Sequence, residues 1–427
     1  MPAAFMRMRL AAKQNPHRVW FNLMHQMKVG MLKRAFHGLD DKKARGVDGV
    51  SKAQYGRDLE ANLGRLENQL HRGSWKPQPM RRVMIPKAGG GKRPLAIASV
   101  EDKIVQKAAA EILETIFEPI FCESSHGFRP QRGAHSAVKA LHGWLANRTH
   151  SHVVDIDIEK FFDTIDHEKL MEILKKRISD RRFLRLIRRL LKAEVLTAEG
   201  VLNNTTGTPQ GSVISPILAN IFLHEVIDQW LVEEKSARRW RLIRYADDMV
   251  ICTGRRQEAQ KCLVAIEKRL ADYGLRLNRD KSHVVPFERG GREIFHFLGF
   301  RWYWGMDRKR RPLLKLKTQT ERFRRSIKEF TRWIKENRNR KRLKVLWKEA
   351  GEKMRGHFAY YGVQLNTRLY EFYQAVCQAL FKWLNRRSQK PSFTWTSFQA
   401  RMKRMPLPKP WGCNMVNIRQ RDFVYAI

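Results

Sequence analysis

Between about residue 76 and residue 300, two hydrophobic rhythms alternate along the chain. Apolar residues at every second position mark half-buried strands, and returns every three or four positions mark amphipathic helices. "VVDIDI", "RLIRY", "MVICT" and "SHVVPF" follow the first rhythm; "EDKIVQKAAAEILETIF" and "RQEAQKCLVAIEKRLADYG" follow the second. Gly274 closes the latter helix as a C-terminal stop. This alternation predicts an α+β domain. Before residue 75 the pattern is helical, as in "HRVWFNLMHQMKVGMLKRAFHGL", followed by the Gly-punctuated turn "ARGVDGVS". Beyond Gly305 it becomes basic helix. There Phe323, Ile327, Phe330 and Ile334 form one apolar stripe, with Arg and Lys on the other faces.

Charge narrows the partners. Lys and Arg number 84 against 42 Asp and Glu, a net charge of +42 on 427 residues. A folded chain this basic points to nucleic acid through phosphate neutralisation and counterion release. No apolar run approaches the ~20 residues of a membrane-spanning helix, and the start "MPAAFMRMRLAAKQ" lacks the apolar stretch of a secretory signal. Five cysteines stand apart without a C-x-x-C pair, which fits a reducing compartment and argues against a zinc ribbon or disulfide framework. The expected home is cytoplasmic, with no membrane partner.

Against this basic background, acidic residues gather in two places. In "HVVDIDIEKFFDTIDHEKL", Val154, Ile156 and Ile158 alternate with Val153, Asp155 and Asp157, so one strand would carry both aspartates on one face. In "RLIRYADDMVICT", Asp247 and Asp248 sit at the tip of an expected hairpin. An acidic stripe on a buried strand is costly unless a cation faces it. Two such clusters on neighbouring strands suit a pair of Mg²⁺ ions, which take oxygen ligands and leave positions for phosphate and water. "IPKAGGGKRPLAI" reads as a flexible basic hairpin carrying Lys87, Lys92 and Arg93, able to fold over a triphosphate. It lacks the Walker G-x-x-x-x-G-K-[ST] pattern. In "NTTGTPQGSVISPILANIFL", a Gly/Pro turn presenting Gln210 runs into a helix near Ser215, with Pro216 in its first turn.

Taken in order, "GVDGVS", "PKAGGGKRPLAIASVEDKIVQ", "SSHGFRPQRGAHSA", "DIDIEKFFDTIDH", "GTPQGSVISPILANIFL", "RYADD", "LRLNRDKS", "FHFLGF" and "RGHFAYYGV" resemble a bacterial group II intron-encoded reverse transcriptase/maturase. The resemblance runs from about Asn15 to about residue 395. It implies a right-hand polymerase: residues 1–75 as N-terminal extension and start of the fingers, and 76–150 as fingers. Residues 151–300 would be a palm with an antiparallel sheet on helices, 301–385 a helical thumb (the maturase X domain), and 386–427 a short basic extension.

The resemblance also assigns roles. Asp157, with the carbonyl of Ile158, and Asp247 would bind two Mg²⁺, with Asp248 supporting the site. Lys87 and Arg93 would grip the triphosphate, Arg through its bidentate fork. Phe162 would lie under the deoxyribose and reject a 2′-hydroxyl, and Lys281 would protonate pyrophosphate; Gln210, on its turn, is presented to a base pair or backbone of the bound nucleotide. Asp155 would not be a main ligand; Asp163, Asp166 and His167 are structural, with His167 bonding within the turn after the strand.

His126 and Ala96 depart from the family's usual aromatic and glycine. Nothing resembles the family's H-N-H endonuclease domain, so second-strand cleavage is not expected of this chain. The implied function is an RNA-directed DNA polymerase that binds group II intron RNA to assist splicing and mobility. Its partners would be an RNA template with a DNA primer, dNTPs and target DNA. Two alternatives stand beside it: a host-adopted reverse transcriptase in phage defence or CRISPR spacer acquisition, and an RNA-binding splicing factor with an unused polymerase site.

Overall fold

The computed structural model describes residues 2–41, 43–86, 90–147, 149–197, 200–202, 204–234, 239–410 and 415–417. In chain order its strands are β1 (Met80–Pro86), β2 (Lys92–Ile97), β3 (His152–Ile156), β4 (Val195–Thr197), β5 (Gly200–Leu202) and β6 (Arg241–Tyr245). They continue with β7 (Asp248–Thr253), β8 (His283–Pro286), β9 (Ile294–Phe297), β10 (Phe300–Met306) and β11 (Pro312–Thr318). Helices alternate with these strands, so the fold is α+β. The chain divides into two compact units, each assembled from separated stretches: residues 1–130, 156–239 and 261–282 in the first, and 131–155, 240–260 and 283–427 in the second.

In the first unit, a four-stranded sheet runs in the order β2-β1-β4-β5. β1 and β2 form an antiparallel hairpin from Arg81↔Ile97 to Pro86↔Lys92. Shortly after β2 begins the helix Val100–Phe117, opened by Ser99, whose hydroxyl accepts the Asp102 N–H at 3.1 Å. The helix is buried nearly all round, as its dense apolar content requires. Its polar residues are therefore paired: Lys103 Nζ donates to the Ala44 carbonyl at 2.7 Å, and Gln106 Oε1 accepts from the Ser212 hydroxyl and the Val213 N–H. The "SSHGFRP" turn is locked by Arg129, which donates to both Glu118 oxygens and to the carbonyls of Cys122 and Ser125. His126, at the position of the family's aromatic, is buried within this turn.

The helix Arg256–Asp272 ends as Gly274 foretells. Gly274 has φ +76°, and the N–H groups of Leu275 and Gly274 bond back to Leu270 and Ala271 in a Schellman motif. The N-terminal region is less helical than its periodicity suggests. Only Val29–His37 of the quoted stretch forms an α-helix, preceded by a single 3₁₀ turn at Met24–Gln26. Upstream, Trp20 bridges to Ile178, its N–H bonding the Arg177 carbonyl at 2.8 Å, so tertiary pairing overrides the helical spacing.

In the second unit, the sheet order is β6-β7-β3-β8, with antiparallel registers Arg241↔Cys252 to Tyr245↔Asp248 and His152↔Pro286 to Asp155↔His283. The helix Ala134–Ala146 packs on β6. A second sheet, β9-β10-β11, shares one core with the helices Thr320–Asn337, Leu343–Tyr361 and Arg368–Leu384. On the first of these helices Phe330 and Ile334 are buried, and Phe323 and Ile327 pack against the same core, as the apolar stripe requires. Arg322, Arg324, Lys328, Arg332 and Lys335 remain exposed on it. Among the described residues, no helix is long and apolar enough to cross a membrane.

Candidate active site

The hairpin at "YADD" closes as tightly as a hairpin can. Tyr245 pairs with Asp248, leaving Ala246 and Asp247 as a two-residue turn. Ala246 takes φ +57°, a left-handed conformation uncommon for a residue with a Cβ. Arg244 is fully buried and its Nη1 donates to the Ala246 carbonyl at 3.0 Å, bracing the turn. Met249, Val250, Ile251 and Cys252 behind it are all buried, so β7 opens to solvent at its aspartate end: Asp248 is exposed and Asp247 half-buried. Burial pushes the Cys252 thiol up to about 12, which keeps it protonated and removes it as a nucleophile.

β3 stops at Ile156, so Asp155 and Asp157 do not share one strand face as the alternation predicts. The cause is a change of partners. Past Ile156 the Asp157 carbonyl accepts the Asn278 N–H at 2.9 Å, and Ile158 bridges to Leu277. The Asp157 N–H bonds Ser282 Oγ at 3.0 Å. Its carboxylate, 35% exposed, has Lys281 Nζ at 3.5 Å; Lys281 is itself 67% exposed. Ile158 is buried, and Phe162 is half-buried against the Phe161 ring at 5.4 Å between centroids.

The turn at 204–212 fits onto the segment after Asp157 through its glycines. A Cβ on Gly207 (φ +81°) would meet the carbonyl oxygens of Phe162 and Asp163 at 2.7 Å; one on Gly211 (φ +104°) would meet the Ala96 carbonyl at 2.7 Å. Thr208 N–H bonds the Phe162 carbonyl at 2.6 Å, and Ala96 N–H bonds the Gln210 carbonyl at 2.7 Å. Gln210 Nε2 lies 3.4 Å from Asp163 Oδ1. His167 is structural, but its bond differs from the expected one: Nε2 lies 2.6 Å from the Gly207 carbonyl, across to this turn rather than within its own. Asp166 caps the helix His167–Lys175 by accepting the N–H groups of Glu168 and Lys169.

A cavity of about 210 Å³ opens here, its walls including Arg82, Ala96, Asp163, Pro209 and Gln210. Arg93 is exposed on β2 opposite Ile85, and Lys87 lies outside the described residues. Arg82 and Ser282 escaped the sequence reading. Ser282 ends the quoted "LRLNRDKS" block, where only Lys281 drew notice; Arg82 carries no local signal beyond its charge.

Among the described residues, no three His, Cys, Asp or Glu side chains cluster as a ready-made metal cage. The donors present are nonetheless hard carboxylate oxygens, and Asp157 already holds a cationic group beside it. That set suits Mg²⁺, which binds through one or two carboxylates and completes its shell with water and substrate phosphate.

The family described as "Reverse transcriptase (RNA-dependent DNA polymerase)" matches residues 85–302, a span that holds Arg93, Asp157, Phe162, Gln210, Asp247, Asp248, Lys281 and Ser282. The chain belongs to the reverse transcriptase family. The protein YkfC of Escherichia coli is 35% identical over 293 residues, covering 60% of this chain and 75% of that protein. The group II intron-encoded protein LtrA of Lactococcus lactis is 37% identical over 202 residues, 47% of this chain. An uncharacterized 91 kDa protein in the cob intron of Schizosaccharomyces pombe is 46% identical over 158 residues. The matched stretches span 33% of LtrA and 19% of the fission-yeast protein, so this reverse transcriptase corresponds to a part of those longer chains.

Proposed function

We propose that the protein is an RNA-directed DNA polymerase that also binds group II intron RNA to assist splicing and mobility. The observation that carries this reading is the family match over 85–302, within which Asp157, Asp247 and Asp248 all stand. Residues 76–150 serve as fingers, 151–300 as palm and 301–385 as thumb. Asp157, the Ile158 carbonyl and Asp247 would hold two Mg²⁺, with Asp248 in support. Chain path favours this set: Asp157 lies one residue past β3, whose sheet neighbour β7 begins directly after Asp247. When bound, the ions supply a more acidic primer 3′-hydroxyl and neutralise charge on the triphosphate.

The remaining work falls to side chains. Arg93 and Lys87 grip the triphosphate, and the Phe162 ring occupies the space that a ribose 2′-hydroxyl would need. Gln210 steadies the nascent base pair, and Lys281 Nζ carries a proton for the departing pyrophosphate. The names of the LtrA and cob-intron relatives support intron RNA as a partner. RNA template, DNA primer, dNTPs and target DNA complete the set, in the cytoplasm of a bacterial cell.

Sugar discrimination tests the reading. On an RNA template with a DNA primer, wild type extends with dNTPs and not with rNTPs. Phe162→Ala narrows that preference by at least about tenfold, equivalent to roughly 1.4 kcal/mol. A wild type that adds no dNTP, or a Phe162→Ala protein with unchanged preference, would contradict it.

A further inference from the structure

The helix Ser215–Leu223 widens at its end into a π-helical turn, His224–Gln229. Such turns are rare and occur often at functional sites. This one forms a wall of a cavity of about 290 Å³ in the first unit, none of whose lining residues belongs to the polymerase set. His224 lines the cavity at 4% exposure, and among the described residues neither of its ring nitrogens has a hydrogen-bond partner. Asp228 Oδ2 stands 3.8 Å from Nδ1, beyond bonding distance, and Phe121 meets the ring edge-on at 5.2 Å between centroids. Buried polar groups are almost always paired, so an imidazole that is orphaned on a cavity wall calls for a ligand.

Basic side chains also line the cavity. Lys176 and Arg177 follow the helix His167–Lys175, and His17 joins them from the N-terminal segment. Lys176 is neutralised by its ion pair with Glu225. Arg177 is half-buried, and burial holds its guanidinium below the usual arginine range, with Glu225 opposing that shift. Phe117, Ile173 and Ile221 supply apolar lining.

We propose that this cavity binds one nucleotide, its phosphate on Arg177 and His17 and its base against Phe117, Ile173 and Ile221, with the base edge read by His224 and Gln229. Three features select this ligand. The planar guanidinium of Arg177 is a bidentate donor that suits a phosphate. Donors and acceptors side by side, in His224, Gln229 and Glu225, suit a base edge better than a bare phosphate. Glu225 and Glu233 in the same lining disfavour a di- or triphosphate, leaving a monophosphate or phosphodiester. The volume is near the lower end of small-molecule pockets, about 300 Å³, and admits a single nucleotide rather than a stretch of strand.

The nucleotide has two possible sources: a free nucleoside monophosphate, or an unpaired residue of bound RNA. Equilibrium binding of AMP, GMP, CMP and UMP tests the first. A single-stranded RNA hexamer, compared with the same hexamer carrying one abasic position, tests the second. The site predicts that at least one arm gives binding, or a preference for the intact hexamer, and that His224→Phe and Arg177→Met each weaken it by about tenfold or more. Gln229→Leu, at a half-buried lining position, serves should either of those variants fail to fold. Primer extension stays at the wild-type rate in each folded variant. Binding unchanged in the folded variants, or no binding in either arm, would overturn the assignment.

Discussion

Asp102 illustrates how much one buried carboxyl can weigh. It is 2% exposed inside the helix Val100–Phe117, and burial pushes its pKa up from 3.8 to about 7 despite the Gln78 N–H bonded to Oδ2 at 3.0 Å. The unfolded chain releases this proton near its ordinary pKa, while the folded chain keeps it until about pH 7. Stability therefore falls as pH rises from about 4 to about 7 and levels off above, a change on the order of 4 kcal/mol from this group. Asp102→Asn removes that portion of the slope. Urea unfolding at several pH values checks it: the stability difference between the variant and wild type should grow across this window, and a constant difference would refute the assignment. Residue-scale legibility was uneven. Asp157, Asp247 and Asp248 announced themselves as acids in a basic chain, whereas Ser282, which holds Asp157 in place across 125 residues, has no local signature.

At the scale of elements, the fit between the 204–212 turn and the segment after Asp157 rests on Gly207. Two effects oppose alanine there: a left-handed φ of +81° and a Cβ within 2.7 Å of two carbonyl oxygens. Gly73 isolates the first effect, with φ +69° and no atom within 4 Å of its would-be Cβ. Gly73→Ala should cost about 1 kcal/mol, and Gly207→Ala should exceed that by on the order of 2 kcal/mol because backbone must move. Equal shifts in denaturation midpoint would show that the close approach carries no weight.

Elements set by local chemistry were readable: the Gly274 stop, the "YADD" hairpin, the buried helix after Ser99 and the apolar stripe from Phe323 to Ile334. Elements decided by distant partners were not. β3 ends two residues early because Asp157 and Ile158 turn to pair with residues 277 and 278, and the segment around Trp20 leaves helix to pair with Ile178. Periodicity reports which side of a segment is apolar; it carries nothing about which distant backbone competes for its hydrogen bonds.

At the scale of the whole molecule, the texture of the chain divides it into successive stretches, yet each compact unit takes three separated pieces of it. Sequence texture is local and cannot show a chain returning to an earlier neighbour. The net charge of +42, in contrast, is a whole-molecule quantity and was readable at once. It predicts that affinity for single-stranded RNA falls steeply with salt, by about 10³-fold between 50 and 200 mM if roughly six or more phosphates are neutralised. Filter binding across that range measures the slope, and a fall of less than about threefold would leave the basic surface without its proposed partner.

The central proposal is that Asp157, Asp247 and Asp248 serve a working polymerase site. Its most direct test is primer extension on an RNA template with Mg²⁺ and dNTPs, comparing wild type with Asp247→Ala. The prediction is full-length cDNA from wild type and a rate at least about 10²–10³-fold lower from the variant, with unfolding unchanged. A variant that extends at the wild-type rate, or a wild type that makes no cDNA, would contradict the account.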